Sequence, residues 1–203
     1  MNTHKKTHWE TIYETKTPEQ VSWTQEVPQT SLRLIHALGV QKDAHIIDVG
    51  GGDSKLVDYL LHEGYENITV LDISAKALER AKKRLGDKAE HVNWVVCDVT
   101  AYQPDRIFDV WHDRAAFHFL TTADEIATYV NLVSTSVHGY LVIGTFSDEG
   151  PKKCSGLDIQ QYNKQSLNHV FENQFELIDF STEDHQTPFD TTQNFLFCSF
   201  RKR

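Results

Sequence analysis

The chain has 203 residues, enough for one domain with a full apolar core. Apolar residues make up 39% and charged residues 24%, a globular balance that excludes intrinsic disorder. Acidic residues outnumber basic ones 29 to 20, for a formal charge of -9, which disfavours a nucleic-acid backbone as partner. Cys97, Cys154 and Cys198 are widely spaced and odd in number. They imply neither a disulfide framework nor a metal site, and a reducing compartment fits. No apolar run follows Lys5 and Lys6, so no signal peptide is expected. No stretch reaches the roughly 18 apolar residues of a membrane span, so no membrane partner is expected and the cytoplasm is the default location.

In chain order, residues 1–30 are polar, with the aromatics Trp9, Tyr13 and Trp23 spaced without helical regularity. They read as a cap over a site, or as pins holding the segment to a sheet edge. Regular patterning begins near residue 31. A helix is expected over 31–38, stopped by Gly39, then a strand over 45–49 that runs into glycines. A helix at 54–62, a strand at 67–71, a helix at 75–85 and a strand at 92–96 follow. The run Lys82-Lys83-Arg84 reads as the solvated face of its helix. A fourth strand is expected at 107–111, a helix at 122–137, a fifth strand at 140–146 and a helix at 164–171. The alternation predicts an α/β fold, a doubly wound parallel sheet with helices on both faces. Two last strands, 175–181 and 194–201, have no helix between them, so a C-terminal antiparallel hairpin with a wide loop is expected. That makes seven strands in one domain, with 1–30 as a cap segment and 31–203 as the core.

The sharpest motif is Ile46-Ile47-Asp48-Val49-Gly50-Gly51-Gly52-Asp53-Ser54, in which a strand enters three glycines and a helix leaves. Such a loop lets a ligand approach the backbone, with the helix N–H groups aimed at it; it also serves as a plain turn. Asp72 ends the second strand, where an acid accepts hydrogen bonds from ribose hydroxyls. Asp98 follows the third, near the far end of an adenosine; alone, it is equally a helix N-cap. A dinucleotide site wants glycine or alanine at position 55, which holds Lys55. Asp48 just before the loop repels a pyrophosphate and attracts a cation. No G-K-[ST] follows the glycines, which excludes a P-loop. S-adenosylmethionine, cationic and without phosphate, suits these acids better.

With Asp48, Gly50 and Gly52 in place, and Ser54 where a third glycine is usual, the chain resembles the class I S-adenosylmethionine-dependent methyltransferases. The resemblance covers roughly residues 31–201. It implies a Rossmann-like, mostly parallel seven-stranded sheet with a C-terminal antiparallel hairpin, and S-adenosylmethionine as cofactor, with S-adenosylhomocysteine as product. It assigns the ribose to Asp72 and the adenine to Asp98. It extends the cofactor contacts to Trp23, Ile73, Val99 and Trp111. His8-Trp9-Glu10 with Ser22-Trp23 also resembles the start of many small bacterial members.

The acceptor side is expected at the ends of strands four and five and in the cap. Strand four ends in Trp111-His112-Asp113-Arg114, and the [D/N]-P-P-[F/Y] motif of members that act on nucleic-acid and glutamine nitrogens is absent. His112 is the candidate general base and Asp113 its orienting partner or an acceptor contact. Arg114 reads as an anion binder or as a partner of Asp113, and His118 as packing. Cys154, in the loop after strand five, touches the acceptor or is an uninvolved thiol. Glu183, His185 and Thr187 are placed in the final hairpin loop, and Lys16 near the cofactor carboxylate or in solvent. The expected activity is methyl transfer to a small thiol or other chalcogen, hydroxyl or carboxylate. The alternatives are a protein lysine methyltransferase, a non-catalytic cofactor-binding accessory protein and a nicotinamide oxidoreductase.

Overall fold

The computed structural model describes residues 3–203. The chain runs α1 (Thr3–Thr15), α2 (Gln29–Ala37), β1 (His45–Val49), α3 (Leu56–His62), β2 (Asn67–Asp72), α4 (Ala75–Leu85) and β3 (Val92–Val96). It continues through β4 (Phe108–Arg114), α5 (Ala123–Ser136) and β5 (Val137–Phe146), then a two-stranded flap of β6 (Lys153–Cys154) and β7 (Leu157–Asp158). It closes with α6 (Lys164–Phe171), β8 (Phe175–Gln186) and β9 (Thr192–Lys202).

Seven strands form one sheet in the order β3-β2-β1-β4-β5-β9-β8. Only β9 runs against the others, pairing antiparallel with both β5 and β8. The final hairpin agrees with the sequence reading, but its strands are longer and its loop shorter. Register pairs run to Gln186↔Thr192, so Glu183 and His185 lie on β8 rather than in the loop. The strand order reverses between β1 and β4, where open α/β sheets leave a crevice at their carboxyl edge.

Strand alternation divides the core. Ile46, Ile68, Val70 and Val110 face one side and pack on Leu32 and Ile35 of α2 and on Leu56, Val57 and Leu60 of α3. Ile47, Trp111, Leu141 and Ile143 face the other side, against Tyr129 and Val133 of α5 and Phe171 of α6. A Ser74 side chain accepting from the Ala77 N–H starts α4, and a Thr122–Glu125 capping box starts α5.

Helix α1 departs from the sequence reading, which found no helix before residue 31. It buries only Tyr13, so it carries no apolar stripe to announce it. Tertiary contacts hold it instead. Glu10 caps α4 from outside, accepting from the Ala75 N–H (2.9 Å), the Lys76 N–H (3.1 Å) and the Ser74 hydroxyl (2.9 Å). Lys5 reaches the Phe119 carbonyl oxygen (2.9 Å) and Glu125 (2.6 Å). Among the described residues, no helix is long and apolar enough to cross a membrane.

Candidate active site

The β1 turn is built from glycines that nothing larger replaces. Gly50 has φ +67°, and a Cβ there would lie 2.5 Å from the Ala116 Cβ. A Cβ on Gly51 would meet the Asp48 carboxylate at 2.7 Å, and one on Gly52 (φ +47°) the Tyr13 hydroxyl at 2.7 Å. The turn is pinned to β2 by the Gly50 N–H donating to the Leu71 carbonyl oxygen at 2.8 Å. Arg84 ties down the far side. It pairs with Asp53 and Asp58 and donates to the Ser54 carbonyl oxygen at 2.8 Å. The basic run of α4 is therefore not wholly a solvated face: Lys83 and Arg84 line the cavity described next.

One cavity of about 700 Å³ opens on the carboxyl edge of the sheet. Trp23, Asp48, Gly50 and Ser54 line it, as do Asp72, Ile73, Asp98 and Val99. The backbone of Gly52 stands just behind this wall, between Tyr13 and Asp72. Asp72 is buried, and its Oδ1 accepts from the Ser74 N–H at 2.8 Å. Burial, seconded by the Asp48 and Glu10 carboxylates, pushes its carboxyl up to about 7 against the pull of the Ser74 and Gly52 N–H groups. Asp98 also caps the short turn Val99–Ala101, accepting from the Thr100 N–H (3.0 Å) and hydroxyl (2.8 Å). The cap and cavity-wall readings of Asp98 thus hold together.

Trp111 is a correction. Its side chain is fully buried on the opposite face of the sheet, and its indole N–H donates to the Tyr129 hydroxyl at 2.9 Å. It belongs to the core and does not line the cavity.

Asp113 faces the same way and is also corrected. Its Oδ1 accepts from the Ala116 and Phe117 N–H groups at 3.0 Å each, and its Oδ2 from the Tyr129 hydroxyl at 2.8 Å. It braces the turn after β4, where Ala115 is held at φ +65°, a conformation that costs a side chain roughly 1–2 kcal/mol. Burial raises its carboxyl to about 6.

His112 does line the cavity, but both of its ring nitrogens are engaged. Nδ1 meets Asp48 Oδ1 at 2.7 Å and Nε2 meets Ser31 Oγ at 2.8 Å. A carboxylate only accepts, so Nδ1 donates to Asp48, while Nε2 and the Ser31 hydroxyl share the second hydrogen bond. The expected base faces Asp48, its register partner on β1, and leaves no ring nitrogen free for an acceptor. Neither Asp113 nor an acceptor orients it.

The other end of the cavity is aromatic. Trp9 stacks edge-on with Trp23 (5.5 Å) and Phe119 (5.2 Å), and Tyr13 with Trp23 (6.3 Å). Cys154, on the flap, is buried there, and burial pushes its thiol up to about 12. Arg114 lines the same end; it does not pair with Asp113, which points the other way. Lys16 is not in the cavity wall, though its carbonyl oxygen accepts from Arg80, which is. His118 is buried core: Nδ1 accepts from the Phe146 N–H at 3.2 Å. His185 meets the Ser22 carbonyl oxygen at 2.7 Å and so supports the cap from beneath. Thr187 closes the final loop through the Thr191 hydroxyl at 2.7 Å.

The sequence reading missed Ser31, Arg80 and Phe119 in this wall. Arg80 was hidden in a helix that reads as amphipathic, and Ser31 in the first turn of another. The Trp9–Tyr13 spacing of one helical turn was the available signal for α1.

A family model described as a methyltransferase domain matches residues 46–135. The nodulation protein S of Sinorhizobium fredii is 28% identical over 131 residues, 63% of this chain and 58% of that one. The mouse eEF1A lysine and N-terminal methyltransferase is 26% identical over 124 residues, 60% of this chain and 17% of that one. The chain therefore spans less than two thirds of the length of either relative. Among solved structures, the N-methyltransferase NodS of Bradyrhizobium japonicum, in complex with S-adenosylhomocysteine, superposes with a TM-score of 0.71 at 14% identity, over 95% of this chain and 97% of that one. The matched segment spans the glycine loop and all three strand-end acids, and along nearly its whole length the chain shares the fold of a methyltransferase solved with S-adenosylhomocysteine.

Proposed function

We propose that this chain is one methyltransferase domain, capped by residues 3–30, that binds S-adenosylmethionine and methylates a small acceptor through a thiol or other chalcogen, a hydroxyl or a carboxylate. The observation that carries the reading is the continuity of one cavity. It runs from Asp72 and Asp98, past the glycine turn, to the aromatic end at Trp9, Trp23 and Phe119. Cofactor and acceptor would share one enclosed space, which in-line transfer demands.

The residues present fit this cofactor. Asp72 ends β2 with a buried carboxylate that suits ribose hydroxyls. The glycine turn packs so closely on Ala116, Asp48 and Tyr13 that a Cβ would clash, which keeps its backbone bare at the cavity wall. Asp48 places negative charge beside the turn, where a pyrophosphate would be repelled and an ammonium held. Bound there, S-adenosylmethionine supplies an electrophilic methyl group on a sulfonium. His112 holds Asp48 through Nδ1 and is itself held by Ser31, so it acts as a positioning residue. The aromatic rings exclude water from the acceptor end, and the neutral, buried thiol of Cys154 is a wall rather than a base.

A protein lysine as acceptor is the second reading, favoured by the mouse relative. The cavity rim tells against it: Glu19, Glu26 and Asp53 are matched there by Lys55, Arg80, Lys83 and Arg84, with Lys55 paired to Glu26 and Arg84 to Asp53. That mixed rim does not attract a cationic side chain.

The test is thermal unfolding with S-adenosylhomocysteine, S-adenosylmethionine or NAD. Ligand at about 100 times its dissociation constant adds roughly 2.7 kcal/mol, a midpoint rise of very roughly 5–10 °C for a domain of this size. Both sulfur ligands should raise the midpoint and NAD should not. A rise with NAD alone would make Asp72 a dinucleotide ribose ligand and overturn the reading.

A further inference from the structure

Arg114 is a cation set into the wall of the acceptor end with most of its hydrogen-bonding capacity unused. Its Nη1 donates to the Trp23 carbonyl oxygen at 3.0 Å. Its Nε and Nη2 are shut off from solvent and have no hydrogen-bond partner. The Phe195 ring covers the guanidinium at 4.8 Å. Glu183 is the acid that acts on it most, without forming an ion pair. The Glu183 Oε1 takes the Gln25 side-chain N–H at 3.3 Å, and its Oε2 has no partner. Burial lowers the guanidinium to about 10, so it stays charged at neutral pH. Apart from Glu183 and, more weakly, Asp48, the neighbours at this end supply no neutralising charge. Cys154 is a neutral thiol, and burial together with Arg114 itself lowers His185 and holds His118 at about 3.

A buried cation with two unmet donors is costly, and a fold rarely retains one without a use. The two vacant nitrogens are informative. Nε and Nη2 share one edge of the guanidinium plane, and their N–H bonds run side by side. That edge matches the two oxygens of a carboxylate, which it binds through two parallel hydrogen bonds. Beside it stand Trp9, Trp23 and Phe119, flat apolar surfaces suited to the body of a small acid.

The geometry points to an acceptor that is a small, apolar-bodied carboxylic acid, with its carboxylate held by the Arg114 guanidinium, whose Nε–Nη2 edge is closed to water in the ligand-free protein and opens to the acid, and its body against Trp9, Trp23 and Phe119. This rests on the reading of the cavity as a methyl-transfer site and narrows it to an anionic acceptor. The carboxylate is the anchor, and the site methylates whichever atom that anchor presents.

The experiment is calorimetric titration. S-adenosylhomocysteine is titrated first, as a separate measurement. The saturated complex then receives benzoate, phenylacetate and 3-phenylpropionate, each beside its neutral amide, and inorganic phosphate. At least one acid should bind about tenfold or more tightly than its amide. Arg114→Gln should erase that preference, and Arg114→Lys, which keeps the charge but loses the paired donors, should weaken it. Neither variant should change the affinity for S-adenosylhomocysteine. Equal binding of acids and amides, no binding by any acid, a preference that survives in Arg114→Gln, or phosphate binding ahead of every acid would each overturn the inference. If Arg114→Gln does not fold, the contrast between acid and amide in the wild-type protein decides. If S-adenosylhomocysteine itself does not bind, the methyl-transfer reading fails, and the same acids titrated on the protein alone still judge Arg114.

Discussion

Asp72 carries two opposed demands. Without ligand its carboxylate is buried close to Asp48 and Glu10, which holds its carboxyl near 7. To accept from two ribose hydroxyls it serves best ionised. A raised folded value means that the folded protein keeps a proton which the unfolded chain gives up near 3.8. The resulting stability is whole below 3.8 and is lost as pH rises through about 7. Asp72→Asn should therefore raise the melting temperature of the ligand-free protein at pH 8, by an effect on the order of 1 kcal/mol or more. That advantage should shrink towards pH 5. The same variant should lose roughly tenfold or more in affinity for S-adenosylhomocysteine, about 1.4 kcal/mol or more. Calorimetry that finds normal affinity would remove Asp72 from the site. The strand-end acids Asp48, Asp72 and Asp98 are legible in the sequence because each closes an apolar run. Trp111 and Asp113 are misread for an equally simple reason. Side chains alternate across a strand, so once His112 faces the crevice, Trp111 and Asp113 face the core. Arg114, two residues on, shares the face of His112.

Among the elements, α1 decides how the site is closed, and it is the least legible part of the chain. Its exposed face is polar throughout, and its hold on the body comes from contacts that no local pattern encodes. The β–α alternation of the core is legible because each core element buries an apolar face of its own. Glu10 is the main clamp on α1. Burial works against its ionised form, but the hydrogen bonds from the Ala75 and Lys76 N–H groups and the Ser74 hydroxyl outweigh it and hold the carboxyl below its usual value. That contribution is present above the unfolded value of 4.5 and is lost as pH falls below it. Glu10→Ala should free α1 while leaving the sheet intact. Limited proteolysis should cut within residues 3–15 several-fold faster, with only a small fall in melting temperature. Because Trp9 and Tyr13 line the cavity, affinity for S-adenosylhomocysteine should fall as well. Unchanged cleavage would mean that Lys5 and the aromatic contacts hold α1 without Glu10.

For the molecule as a whole, the buried titratable groups pull stability in opposite directions. Asp72 and Asp113, raised to about 7 and about 6, stabilise the ligand-free protein while protonated and lose that contribution as pH climbs through those values. His118, held at about 3 by burial and by Arg114, works the other way. The unfolded chain takes up a proton near 6.5 that the folded core refuses, so its contribution is whole above 6.5 and lost as pH falls towards 3. Between about pH 4 and 6 the two carboxyls together outweigh the single histidine, so the ligand-free protein should lose stability as pH rises through that range and level off above about pH 7. If S-adenosylhomocysteine is held through an ionised Asp72, its binding offsets the loss that Asp72 contributes up to about pH 7, so the fall towards neutral pH should become shallower. Binding near pH 6.5 should also release protons, seen as a dependence of the calorimetric heat on the buffer, and this should vanish by about pH 8.5. Melting temperatures recorded from pH 4 to 9, with and without S-adenosylhomocysteine, test the whole scheme. A ligand-free melting temperature that rises steadily from pH 6 to 8.5 would mean that Asp72 and Asp113 are solvated or paired in solution. The crevice at the β1–β4 switch would then be more open than the fold described here.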